Sequence, residues 1–387
     1  MGVDAEMAPT ERAAAFRFTF PESETSGVVI DAFDKGSYIK VIPEENTVVG
    51  YTTRNSGGVP ENFRNWFVLK FDKPIEGAGV YNGKETVKGL EFKGNHALAA
   101  VKSEAKARWN EILGHIEVAG GTEEQYRTFY SCLYRSTLFP RKFYEVTSKG
   151  EIMHYSPYNG EVRLGYMYTD TGFRDTFRAL FPLLNLVYPS VNREIQLALA
   201  NIAEENPFLP EWSSPGHRGC MVGDNSASVV ADAIVKSVSV EKLETLYRAI
   251  VCGTEHVLPE ANSSGRLGHE YYNTLGYIPY NVGINENVAR TLEYAYDDWC
   301  ILQIAKKLNR PSGEIEKWTK RALNYRNVFD ASSKLMRGRN ADGTFQSPFS
   351  PYKWGDAFTE GNAYTKSPKC RWQIWEIMPT AISLHST

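Results

Sequence analysis

The hydrophobic period of this sequence switches once, near residue 97, and the switch divides the chain into a β part and an α part. Over 14–95 the apolar residues alternate. In "AFRFTF", Phe16, Phe18 and Phe20 alternate with Arg17 and Thr19, the period of a strand with one buried face. "VVIDAF", "SYIKVI", "TVVGYTT" and "NWFVLKF" follow, separated by Gly, Pro, Asn and Ser clusters. That spacing predicts an antiparallel sandwich or part of one. Beyond 97 the period becomes helical. "HALAAVKSEAKARWNEILGHI" reads as a linking helix. "GGTEEQYRTFYSCLYRSTLF" reads as a helix whose start is set by a capping box of Thr122 and Gln125. Further helices are predicted at about 172–186, 191–205, 223–238, 241–254, 286–309 and 312–330. In the fifth of these, Leu292, Ala295, Tyr296, Trp299 and Leu302 recur at three and four and form one apolar face.

Between the helices run long loops, "FLPEWSSPGHRGC", "NSSGRLGHEYYNTLGYIPYNVG" and "GTFQSPFSPYKWGDAFTEGN". Loops of this length inside a compact domain are usually functional. Seven or eight helices in pairs, with long loops at one end, fit an α/α toroid that is several helices short of the roughly twelve in a closed one. The expected class is therefore multidomain α+β: an abbreviated N-terminal antiparallel β-sandwich, then an incomplete (α/α)6 toroid. A length of 387 residues agrees with more than one core. The expected boundaries are 1–96 for the partial sandwich, 97–118 for the helical linker and 119–364 for the toroid. Residues 365–387 read as a tail that is disordered or shifted in reading frame.

Charge narrows the partners. Lys+Arg 43 against Asp+Glu 46 gives a net charge of −3, too balanced to argue for nucleic acid or an anionic membrane. No run of 18 apolar residues predicts a membrane span. The N-terminus "MGVDAEMAPTERAAAF" lacks a basic n-region and an apolar h-region, which reads as a cytoplasmic chain or one without its true beginning. The five cysteines are scattered and free of CxxC spacing, so buried thiols are expected rather than disulfides or a zinc site. With 22 Tyr, 19 Phe and 8 Trp the chain is rich in rings, which fill cores and also stack on sugars.

Cleaving a glycosidic bond by the usual route needs two carboxyl groups, about 6.5–9.5 Å apart when the configuration inverts. Glu360 in "FTEGNAY" is the best candidate acid, because aromatic neighbours would hold it protonated and Gly361 would let a substrate approach. A glutamate at a helix N-terminus is the other reading. Asp175 and Arg178 in "DTGFRDTFRALFPLL" lie i and i+3 on one helical face, beside Thr176. They would grip adjacent sugar hydroxyls or form a structural salt bridge. Glu293 and Asp297 lie i and i+4 and share a sign, which destabilises a helix unless something positive or a sugar hydroxyl compensates. With Asp298 they also read as a capped or solvated acidic face. His154, His217, His256 and His269 form no HxxxH or HxH pair, and neither GxSxG nor a phosphate loop is present. "RNADGTF" carries Asp342 and Gly343 but lacks the spaced ligands of a calcium loop. A helical scaffold for protein binding is disfavoured by the long aromatic, Gly- and Pro-rich loops.

"GTEEQYRTFYSCLYRSTLFPR", "YTDTGFRDTFRALFPLLNLVYPS", "FLPEWSSPGHRGCMVGDNSASVVADA", "LGYIPY", "ARTLEYAYDDW" and "FTEGNAY" occur in this order. Together, over about residues 10 to 364, they resemble glycoside hydrolase family 92, calcium-dependent exo-acting α-mannosidases. The resemblance implies a β-sandwich joined by a helical linker to an (α/α)6 toroid, with the site between them. It implies inverting hydrolysis of terminal α-linked mannose, commonly α-1,2, from a mannose-containing glycan, and a calcium ion on the mannose hydroxyls. Glu360 matches the general acid. Asp175 and Arg178 match the sugar-contacting part of the tryptophan-Asp-Thr-x-Arg motif, and Glu293 matches the acid of the Leu-Glu-Tyr motif. The chain departs from the pattern in three places. Arg174 replaces the usual Trp, the sandwich is abbreviated, and the pattern breaks after Tyr364, before the base carboxylates and most calcium ligands. Two expectations follow: a mannosidase with weak or no turnover by this chain alone, or a non-catalytic mannose-binding remnant. Relatives are often exported, whereas this sequence shows no export signal.

Overall fold

In the computed structural model the described residues are 2–22, 27–32, 36–55, 57–75, 77–79, 96–238 and 241–349. The chain divides into two units, residues 1–55 with 62–135 and residues 56–61 with 136–387.

The first unit is built on antiparallel strands. β1 (Asp4–Pro9) and β2 (Ala14–Thr19) form a hairpin in the register Met7↔Phe16. Its turn is closed by Thr10, whose N–H donates to Ala13 O at 2.7 Å and whose hydroxyl accepts from Ala13 N at 2.9 Å. The alternation in "AFRFTF" foretells β2, but β1 goes unpredicted because its apolar content is low. β3 (Tyr38–Ile42), β4 (Thr47–Thr52) and β5 (Asn65–Lys70) make a three-stranded sheet in the order β3-β4-β5. Tyr38, Tyr51 and Trp66 stand in register across it, with centroid separations of 5.7 and 4.8 Å. "VVIDAF" is not a strand over its described residues. The Ala32 carbonyl accepts from the hydroxyls of Ser37 and Thr52 instead of a ladder N–H, which corrects the expectation.

α1 (His96–Leu113) packs along β1 and β2. α2 (Glu123–Ser136) starts at the expected capping box. Thr122 N–H donates to Gln125 Oε1 at 2.8 Å, and Gln125 N–H donates to Thr122 Oγ1 at 3.3 Å. Each partner thus satisfies one N–H that the helix start would leave unpaired.

The second unit carries α3 (Phe173–Thr176), α4 (Leu180–Val187), α5 (Pro189–Glu205), α6 (Ser226–Val235), α7 (Leu243–Glu255), α8 (His269–Leu275), α9 (Asn287–Lys307) and α10 (Ser312–Arg321). Pro189 opens α5, where its fixed φ suits the first turn and its missing N–H leaves nothing unpaired. Lys306 and Lys307 close α9, and Lys320 and Arg321 close α10, placing positive charge at the negative helix ends. α4 packs on α5, α6 on α7, and α9 on α10, while α4, α6 and α9 touch in series. With ten helices among the described residues, the fold is an abbreviated β-sandwich followed by an incomplete (α/α)6 toroid. Two expectations are corrected here. The helix at 172–186 is broken between Thr176 and Leu180, and α8 lies inside a segment read as loop.

α9 is the axis of this unit. Leu292, Ala295 and Leu302 of its predicted apolar face are buried, and Tyr277, Val288, Tyr325, Val328 and Met336 complete one cluster around it. Its opposite side is buried too, including Glu293, Asp297 and Asp298. These acids do not form a solvated face, and burying them requires positive partners. Of the described cysteines, Cys300 is buried and Cys132 exposed, and none forms a disulfide, so burial of the thiols holds only in part.

Candidate functional site

The segment "TDTGFRDTFR", which carries the candidate sugar contacts Asp175 and Arg178, is held at its start by strand pairing. Residues 171–172 pair antiparallel with residues 212–213. Gly172 is required there, since a Cβ would lie 2.4 Å from the Trp212 ring. Phe173, 2% exposed, anchors α3 in the core. The first two N–H groups of α3 both go to Glu211: Phe173 N donates to its backbone carbonyl and Arg174 N to its Oε1, each at 2.9 Å. Thr176 turns its hydroxyl back to Gly172 O at 2.8 Å, which leaves the sugar-facing role to its neighbours.

α3 presents Asp175 to solvent. No hydrogen bond or ion pair reaches its carboxylate from the described residues, so both oxygens are open to accept from a ligand. The helix ends at Thr176, so Arg178 lies past it, and no ion pair joins the two residues as a shared helical face would allow. Arg178 instead reaches Glu293 at 3.4 Å, stacks its guanidinium over the Phe177 ring at 4.2 Å, and stays half-exposed. Arg174 meets the same Glu293 oxygen at 3.1 Å and donates to Val222 O at 2.9 Å. Two guanidiniums therefore share one buried carboxylate. The charge that α9 needs to bury Glu293 comes from the α3 segment, and Arg178 is oriented with donors left over for a ligand.

Beneath this surface lies a set of buried acids, two of which, Glu211 and Asp224, the sequence does not single out. Glu211 is 1% exposed, and besides Arg174 N it accepts from Asn225 N at 2.7 Å and Asn225 Nδ2 at 3.3 Å. Burial pushes its carboxyl well above the usual range, with Asp224 adding to this and the Asn225 N–H and Arg174 opposing it. Asp224 is pushed up to about 6 by burial, against the pull of Arg266. Its N–H donates to Asp297 Oδ2 at 3.0 Å. Arg266 is fully buried, and its Nη1 lies 2.6 Å from Asp298 Oδ1 while its Nε lies 3.7 Å from Asp224. Burial works against the Arg266 charge, but Asp298 and Asp224 outweigh it. Asp298 also accepts from Tyr272 Oη at 2.9 Å and Arg321 Nε at 3.0 Å. Glu293 is thus compensated by arginines from other elements, whereas Asp297 accepts from the Asp224 N–H and is pushed well above the usual range by burial, against the pull of Arg266. Only the loop "FLPEWSSPGHRGC" itself signalled Glu211, by its length and composition.

His217 is buried with its Nδ1 2.9 Å from Ser264 Oγ, and burial lowers it to about 4. His154 bridges Gly165 O and Glu205 in the interior, each at 2.8 Å. Both ring nitrogens of His154 are satisfied in a structural position, whereas His217 Nε2 is buried with no hydrogen-bond partner among the described residues. Among the described residues no group of three or more His, Cys, Asp or Glu is arranged to hold a metal ion. Of the acids that do cluster, Glu293, Asp298 and Asp224 face arginine, and burial holds Glu211 and Asp297 well above the carboxylate range. The described residues therefore do not fit the calcium that the family pattern implies, and no chemical step is derived through it. Glu360 lies outside the described residues. No helix among them is long and apolar enough to cross a membrane.

Residues 87–374 match the glycosyl hydrolase family 92 catalytic domain, and residues 1–115 match the glycosyl hydrolase family 92 N-terminal domain. A family GH92 inverting mannosidase of Bacteroides thetaiotaomicron is similar with a TM-score of 0.88 and 38% identity, over 96% of this chain and 57% of that one. A family GH92 α-mannosidase of the same bacterium shares the fold at a TM-score of 0.75 and 24% identity, over 97% of this chain and 58% of that one. An uncharacterized secreted glycosidase of Arthroderma benhamiae is 23% identical over 92% of this chain and 51% of its own length. The chain thus spans between half and three-fifths of the length of these relatives.

Proposed function

The chain belongs to glycosyl hydrolase family 92, and from that premise we propose that it serves the removal of terminal α-linked mannose from glycans with inversion at the anomeric carbon. The likeness to an inverting mannosidase at 38% identity over 96% of the chain carries this reading. We assign the α-1,2 linkage as the preferred one. Glu360 is the proposed general acid, protonating the leaving oxygen. Asp175 accepts from adjacent mannose hydroxyls through its open carboxylate, and Arg178 donates to them. Glu293 meets the sugar through Arg178, whose guanidinium it orients at 3.4 Å. The domain boundaries 1–96, 97–118, 119–364 and 365–387 belong to the same proposal.

A second reading is that this chain by itself binds mannose and turns it over weakly or not at all. One observation favours it. The described residues offer no cluster fit for a metal ion. Losing general-base help alone slows such a reaction by about 10²–10⁴-fold. The deciding experiment incubates the purified chain with α-1,2-mannobiose, with calcium and then with chelator, and follows the anomer released by NMR. Release of β-mannose, abolished in Glu360→Gln, establishes the inverting enzyme. Saturable mannose binding without release establishes the second reading, and neither release nor binding overturns both.

A further inference from the structure

We propose that Glu211 is a positioning residue that fixes α3, and through it Asp175 and Arg178, in the geometry that meets the sugar. The inference rests on the reading of Asp175 and Arg178 as sugar contacts. Its physical basis is a bracing arrangement that no part of that reading uses.

Glu211 ties together two segments that enclose the base of the candidate site. One is the start of α3, where both of the first N–H groups end on this residue, through Phe173 N to its carbonyl and Arg174 N to Oε1. The other is the start of α6, where the N–H of the capping residue Asn225 ends on Oε2 at 2.7 Å. α3 is a single turn of four residues and cannot hold itself in place through its own hydrogen bonds. Asp175 follows directly after the residue whose N–H Glu211 holds. Arg174, Asp175 and Arg178 therefore take their orientation from a side chain that is itself 1% exposed and shut away from any ligand.

The bonding pattern makes a sharp distinction between variants. Every polar partner of the carboxylate is a donor, and the two main-chain donors sit on different oxygens. A carboxylate accepts from both. A glutamine amide has one acceptor and one donor end, so it keeps one of these main-chain bonds and loses the other. Asn225 Nδ2 faces Oε1, and turning this amide over brings its Oδ1, buried with no partner among the described residues, to the Oε1 side, where it can accept from a glutamine amide. Glu211→Gln therefore keeps the Asn225 N–H bond and releases Arg174 N–H. Glu211→Ala releases both.

The test compares wild type, Glu211→Gln and Glu211→Ala with Val328→Ala, a core variant in the cluster around α9 chosen to match their loss of global stability. Hydrogen exchange reads residues 172–178 and 223–227, and calorimetry reads mannose affinity. Faster exchange, by about tenfold or more, at 172–178 but not at 223–227 is expected in Glu211→Gln, with both segments accelerated in Glu211→Ala. Mannose affinity is expected to weaken at least about threefold in Glu211→Gln and to stay at the wild-type value in Val328→Ala. Unchanged exchange at 172–178 in folded Glu211→Gln overturns the proposal, as does an equal loss of affinity in Glu211→Gln and Val328→Ala. If wild type binds no mannose, or Asp175→Ala binds as wild type does, the sugar reading fails. The exchange pattern then decides on its own whether Glu211 positions α3.

Discussion

Arg174 puts a guanidinium where the family pattern has an indole, and the structure gives that exchange a definite role. The side chain is mostly buried and pairs with Glu293 at 3.1 Å, whereas Arg178 is half-exposed and pairs with the same oxygen at 3.4 Å. An exposed pair contributes about 1 kcal/mol or less, while breaking a buried one costs about 3–5 kcal/mol. Urea denaturation of Arg174→Ala is therefore expected to show the large loss, and Arg178→Ala the small one. A double-mutant cycle should give the stronger coupling for Arg174 with Glu293; equal couplings would show that burial does not separate the two arginines. Acid titration probes two further side chains. His217 is lowered to about 4, so its contribution is full above its ordinary 6.5 and is lost as pH falls through 4. Asp224 is raised to about 6, so its contribution is full below its ordinary 3.8 and is lost as pH rises through 6. The two effects oppose each other between pH 6 and 4. Between pH 7 and 4.5 the urea midpoint of His217→Gln should fall less than that of wild type, and that of Asp224→Asn should fall more. The reverse order would contradict both assignments.

At the scale of elements, α2 and α9 show what local sequence does and does not reveal. The capping box of α2 is contained in four consecutive residues, so Thr122 and Gln125 announce it without any knowledge of the fold. Removing it in Thr122→Ala should lower stability by about 0.5–2 kcal/mol in denaturant unfolding. α9 is different. Its apolar residues reveal a helix and one buried face, but Glu293, Asp297 and Asp298 look solvated until the arginines that neutralise them are seen. Those of Glu293 and Asp298 come from 23 to 119 positions away in the chain, and nothing in a single sequence links residues at such distances. Asp298 carries three of these contacts, from Arg266, Tyr272 and Arg321. Asp298→Ala is expected to cost about 3–5 kcal/mol, well above Thr122→Ala, because it strands two buried guanidiniums. Near-equal midpoint shifts in the two variants would place the acids outside the load that holds the helix. The candidate site divides in the same way. Asp175, Arg178 and Glu293 are legible because they sit in contiguous motifs, whereas Glu211 is not, because its function depends on two main-chain N–H groups in other segments.

Over the whole molecule, the change of period near 97 was enough to separate the strands of the first unit from the helices that follow, but the short strands among those helices, strand pairing and the break in the helix at 172–186 were not readable from it. Pairing depends on partners far along the chain, as the use of the Ala32 carbonyl by Ser37 and Thr52 illustrates. The two units differ greatly in what they bury. Among the described residues the first has Ala8, Val48, Phe63, Leu98 and Leu133 as its buried apolar residues, while the second has an extended core around α6 and α9. Hydrophobic stabilisation follows buried apolar area, so the first unit should yield at lower denaturant. Fluorescence of a variant retaining only Trp66 and Trp109 should change at a lower urea concentration than that of one retaining only Trp318. A single coincident transition would show that the units unfold together.

The arginine-centred interior has a consequence for how this protein can change over time. Arg266, Asp298 and Arg321 meet in the buried interior, so replacing any one unbalances the charge of the others. A joint exchange of all three for apolar groups of similar volume can be neutral or even stabilising. Viable variants with and without this network are thus separated by a valley that single substitutions do not cross. The three positions behave as one inherited character, and a library that varies them singly would record intolerance at sites that are replaceable as a set.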